Sequence, residues 1–198
     1  MLVRNLILLM SLAWFGQSIS ASDIFDRLVL EVNKTSYSQR QVEIYIGTRN
    51  VLAARSADVD VSVNSRNWQD ILFQFRDEMM VEQEAQRLGT VQPNLQMVDE
   101  LFKVLRTKQK RVRSLTALYQ RLNVDSAEVR TVLASIIRVR GFLVTKRRQG
   151  ASDLKQLNIE KSVGWFRKLT ARVPSRVYEG ALSYVPIKSE RKKWSHSP

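Results

Sequence analysis

Residues 68–88 carry the longest helical pattern in the chain, and its apolar positions fall on two sides. At about 100° per residue, Trp68, Ile71, Leu72, Phe75 and Met79 form one stripe, whereas Phe73 and Met80, seven residues apart, share a different face. A helix with one apolar stripe can lie on the edge of a core, but a helix with two needs cover from both sides. Gly89 follows at the position where a helix commonly ends in a left-handed residue. The segment therefore calls for a multi-helix packing.

The flanking sequence supplies the partners. Ser38 with Gln41 makes a capping box, and Val42, Tyr45, Ile46 and Leu52 or Ala53 continue at helical spacing, which predicts a helix from Gln39 to Ala54. After Pro93-Asn94, residues Val98, Leu101, Phe102 and Leu105 predict a helix over 95–108, and Leu115, Leu118, Tyr119 and Leu122 a shorter one. Asp125 and Glu128 form a second capping box for a long helix. Its stripe is Val129, Val132, Leu133, Ile136 and Leu143, and it ends in Lys146-Arg147-Arg148, favourable beside the negative end of the helix dipole. Residues 150–153 read as a loop, and Val163, Trp165, Phe166 and Leu169 as a short helix stopped near Pro174. Residues 55–67 read as a linker in which Val59, Val61 and Val63 alternate with polar residues.

Two strand-like segments bracket this array. Leu28, Leu30 and Val32 alternate before the turn at 33–36, and 176–185, with Val177, Tyr178, Leu182 and Tyr184, reads as a terminal strand. A two-stranded ribbon is marginal alone, so the two ends are expected to pair and to rest on the helices. The expected fold is mainly α, a helical domain with a small β-ribbon joining the N- and C-terminal segments.

The start of the chain bears on compartment. Arg4, an apolar run over 6–15 and the small, polar stretch 16–22 have the layout of a secretory signal peptide. Ten apolar residues make a helix of about 15 Å, half of the ~30 Å bilayer core. The expected division is a signal peptide over 1–21, cut after Ser20 or Ala21, one domain over 22–187 and a basic tail over 188–198. The 198 residues include no cysteine, so neither a disulfide framework nor a thiolate site is available, and the lone histidine, His196, lies in the tail. The formal charge of +13 points to acidic partners. In an exported chain that means anionic lipid or polymer, or unfolded acidic polypeptide, rather than nucleic acid.

Taken in order, Val29-Leu-Glu-Val-Asn33, the turn before Tyr37-Ser38, Met80-Val-Glu-Gln-Glu-Ala-Gln-Arg-Leu-Gly89, Val98-Asp99 and the helix through Arg130 and Arg140 resemble the N-terminal chaperone domain of SurA-like periplasmic folding factors. The stretch 165–184 is similar to that family's closing helix and strand. Lys34 departs from the pattern, standing where the family usually has glycine. The resemblance implies a periplasmic, non-catalytic chaperone for unfolded or nascent envelope proteins, outer-membrane proteins among them. The parvulin domain that makes some relatives peptidyl-prolyl isomerases has no room between residue 148 and Val163. No enzyme activity, cofactor, metal or transmembrane anchor is expected.

Two groups of residues are candidates for contact with partners. Phe73, Met79 and Met80 offer adaptable apolar surface to an unfolded client, against the alternative that both faces of the helix are core. Residues 68–88 and 95–108 are the expected walls of the client cradle. Lys103, Arg106 and Lys110 recur on one face of the densest basic run and suit an anionic partner, against the alternative of a solvated helix end. The second functional reading is accordingly a basic adaptor on an anionic envelope polymer or lipid. The carboxylate pairs Glu82/Glu84 and Asp99/Glu100 read as solvated helix positions without matching basic partners.

Overall fold

The computed structural model describes residues 26–56, 59–148 and 163–187. The expected signal peptide, the 150–153 loop and the basic tail lie outside them. β1 (Leu28–Val32) and β2 (Thr35–Ser38) form a hairpin, joined by Asn33 and Lys34 at φ 47° and 68°. Two successive positive-φ residues give the turn whose twist matches that of the strands. Lys34 takes this conformation although glycine adopts it at less cost.

β3 (Ser175–Val177) pairs antiparallel with the other side of β1, giving the order β2-β1-β3. The two ends of the domain are thus tied together, and β2 adds a strand not foreseen in the sequence. Two expectations are corrected here. Strict alternation in β1 fails: the register shifts between Leu28 and Leu30, leaving Leu28 53% exposed and Val29 fully buried beside Leu30 and Val32. The terminal strand stops at Val177 rather than running to 185. Gly180 at φ 76° turns the chain, and the carbonyls beyond it bond to side chains instead of to a neighbouring strand.

Six helices follow from local signals among the described residues. α1 (Gln39–Ala53) begins with the complete capping box of Ser38 and Gln41. α2 (Trp68–Leu88) ends at Gly89, φ 61°, whose N–H bonds to the Gln86 carbonyl. α3 (Leu95–Gln109) is capped by the Asn94 side chain on the Met97 N–H. α4 (Arg113–Arg121) is short, and α5 (Ser126–Arg148) starts where Asp125 Oδ1 accepts the Glu128 N–H at 2.7 Å. α6 is Val163–Thr170.

Burial separates two apolar clusters. One joins the sheet and α1 to Trp68, Leu72, Phe75, Met79 and Met80 of α2, the middle of α5, and Leu169 and Val173. The other joins Ile44 and Val51 of α1 to α3, α4 and the start of α5 through Leu105, Leu115 and Leu133. Val61 and Val63 are buried in alternation, although no ladder forms there. Gly47 sits where α1 meets α4: a Cβ on it would come within 2.5 Å of Leu118 Cδ2. Lys108 Nζ donates to the carbonyls of Val51, Leu52 and Ala54, so part of the basic run caps the C-terminus of α1. Among the described residues no helix is long and apolar enough to cross a membrane.

Candidate functional site

A cleft of about 480 Å³ opens between β2, α1, α2 and α5. α1 brings Gln41, Ile44 and Tyr45 to it, because these follow one another down a single helix side from the capping box. α2 contributes Phe75, Met79, Glu82, Gln83 and Gln86, and α5 contributes Thr131, Ser135 and Arg138. The base is aromatic. The Phe75 ring takes Tyr37 and Tyr45 edge-on, with centroids 5.3 and 5.2 Å away.

Polar groups surround this base. Glu82 accepts from the Arg138 guanidinium and the Ser135 hydroxyl across the α2–α5 seam. Gln83 Nε2 lies 3.4 Å from both the Tyr37 and Thr35 hydroxyls. Below, Tyr45 donates to Glu78 at 2.6 Å, and Arg49 pairs with the same carboxylate. Burial raises the Tyr45 hydroxyl well above its ordinary range and that of Tyr37 less, so both stay protonated donors at neutral pH. The cleft therefore combines a yielding apolar base with amide and hydroxyl groups at its rim.

The structure separates the residues expected to contact a client. Met79 lines the cleft but is 2% exposed, and Met80 is 1% exposed within the core. Their surface role is corrected: each is covered from its own side, as the two-stripe pattern of α2 demands. Phe73 alone of the three is exposed, and Arg76 lies over its ring at 5.0 Å. Of the two helices expected as cradle walls, α2 borders this cleft and α3 does not; α1 and α5 close it. Tyr37, Gln41, Gln83 and Ser135 were missed. The alternation of Tyr37 with Thr35 after a two-residue turn was the signal for β2 and its inward ring.

The basic residues come out differently. Arg106 and Lys110 line one shallow depression of about 160 Å³ with Gln109 and Thr116, while Lys103 is exposed one turn earlier on α3. Arg106 also stacks over Phe102 at 5.1 Å and borders a neighbouring basin of about 350 Å³ between α3, α4 and the start of α5. Glu82 and Glu84 are buried and matched rather than solvated, whereas Asp99 and Glu100 are exposed as expected. Glu82 pairs with Arg138, Glu84 with Arg87 and Arg172, and Asp99 with Arg130. The Arg87 bond, aided by the charge of Arg172, holds the Glu84 carboxyl below its usual range. Among the described residues no cluster of histidine, cysteine or carboxylate side chains is arranged to hold a metal ion.

No family model matches the chain, and no curated protein or solved structure matches it either.

Proposed function

We propose that the protein is a non-catalytic holding factor of the SurA-like kind, exported to the periplasm, that binds unfolded envelope polypeptides. The observation that carries this reading is the cleft between β2, α1, α2 and α5. Its half-buried Tyr37 and Val132, backed by the buried Phe75 and Met79, offer apolar contact to side chains of varied shape, and the amides of Gln41, Gln83 and Gln86 suit peptide backbone whatever its sequence. A holder must also release, so affinity near micromolar, about −8 kcal/mol, is expected. The positive charge speeds capture of acidic chains.

The second reading, a basic adaptor on an anionic polymer or lipid, is favoured by Arg106 and Lys110 sharing one depression. Light scattering of a chemically denatured acidic protein, diluted into a severalfold excess of the purified chain, decides between them when repeated across salt. Slowed aggregation that persists from ~50 to ~200 mM salt supports apolar capture. Unchanged aggregation contradicts the holding function, and retention on an anionic polymer that collapses over the same salt range identifies the adaptor.

A further inference from the structure

The segment 180–187 is held in an unusual way. Six of its carbonyls accept hydrogen bonds from side chains far away in sequence. Trp68 Nε1 donates to Ala181 O at 2.5 Å, Gln39 Nε2 to Val185 O at 2.6 Å, Arg121 to Ile187 O at 3.2 Å and Gln69 to Leu182 O at 3.3 Å. Arg27 donates to the carbonyls of both Gly180 and Ser183. Meanwhile Leu182 and Val185 point outward, 46% and 40% exposed. An element that closes a core turns its apolar side chains inward and bonds its backbone to a ladder or helix. Here the carbonyls face the protein and much of the apolar surface faces solvent.

The donors are also pre-positioned. Glu43, completely buried, accepts from Gln39 Nε2 at 2.9 Å and from Arg121 at 2.5 Å, while Gln39 Oε1 accepts from Arg27 Nε at 2.7 Å. A buried, linked polar network is costly to build and adds little net stability over apolar packing. Its product is a row of donors that reads the carbonyls of a turn at 180–183 and of the irregular stretch after it. The strap's own side-chain anchors are few: Ala181, Tyr184 tilted against Trp68 with centroids 5.7 Å apart, and Ile187.

We infer that these donors form a second polypeptide-binding site, occupied in the resting protein by its own segment 180–187, which a stretch of an unfolded protein that can turn and present its carbonyls in the same way displaces. The inference rests on the holding function and adds to it a backbone-reading site with a built-in competitor. Capture and release then become an exchange between strap and client.

The test uses the intact chain with reduced, carboxymethylated α-lactalbumin, a permanently unfolded acidic protein, carrying a fluorescent label. Binding is followed by anisotropy, and amide hydrogen exchange across 180–187 is measured with and without it. Displacement predicts roughly tenfold faster exchange in those amides when the unfolded protein is bound. It also predicts about fivefold tighter binding to Tyr184→Ala, which removes the ring packed on Trp68 and the hydroxyl bonded to Glu43 and Arg121, with Tyr184→Phe, which loses only the hydroxyl, between it and the parent. Binding that leaves strap exchange unchanged overturns the inference while the holding function stands. Absence of binding to both the parent and Tyr184→Ala overturns both.

Discussion

α2 and α3 follow one another in the chain, yet the protein treats them in opposite ways. α2 is covered on both sides and buries four carboxylates, Asp77, Glu78, Glu82 and Glu84, along with its apolar stripes. α3 buries only Val98 and Leu105 and leaves Leu95, Met97 and Val104 outside. The more hydrophobic-looking face is therefore not the more available one. Two apolar stripes on α2 mean two neighbours, and that helix serves the cleft only through the edge where Phe75, Met79 and Gln83 meet β2 and α5.

If that contrast is right, Phe75→Ala loses about 4 kcal/mol of folding stability in chemical denaturation, since it removes a buried ring packed by Tyr37 and Tyr45. On the outer face of α3, Val104→Ala changes it by less than about 0.5 kcal/mol. Equal losses at the two positions would erase the distinction between the helices. The ion pairs sharpen it next. Arg138→Ala strands Glu82, whose side chain is 9% exposed, and costs about 3 kcal/mol. Asp99→Ala breaks the exposed pair from α3 to Arg130 and costs under about 0.5 kcal/mol by the same measurement.

Smaller effects test the local signals. Ser38→Ala should lower stability by about 1 kcal/mol through loss of the α1 cap. Lys34→Gly should raise it by about 0.5 kcal/mol by relieving the left-handed backbone at φ 68°. Alkaline pH probes the buried hydroxyls. Burial raises Tyr45, Tyr37 and Tyr184, and Tyr119 rises to about 12. The folded protein thus retains protons that the unfolded chain releases above pH ~10, and the stability these groups contribute, complete below that pH, falls as pH climbs through the folded values. In a Tyr178→Phe background, which leaves only these four tyrosines, tyrosinate absorbance should appear together with loss of helical circular dichroism. Tyrosinate forming at pH 10 in a still-folded chain would contradict this.

The parts of the fold legible in the sequence are those with local causes. The Ser38–Gln41 box and the Gly89 stop set two helix ends, and both stand where the residues put them. What stayed hidden depends on distant partners. Val177, Leu182 and Tyr184 look like one strand until the donors Gln39, Trp68 and Arg121 take the carbonyls beyond Gly180. Glu82 looks solvated until α5 brings Arg138 against it. β2 was hidden because four residues of polar character carry little strand signal without β1 beside them. The cleft was half legible: Tyr45 and Phe75 stood in the helical stripes, but the register that sets Tyr37 against Phe75 is a property of the hairpin.

The central claim is that the cleft itself captures unfolded chain. Thr131 is exposed on its α5 rim, so Thr131→Trp fills the opening without entering the core. Anisotropy titration of a labelled, permanently unfolded protein with the parent and this variant, at equal thermal stability, tests the claim most directly. At least tenfold weaker binding by Thr131→Trp is the predicted result. Equal affinity for the two proteins would contradict the account.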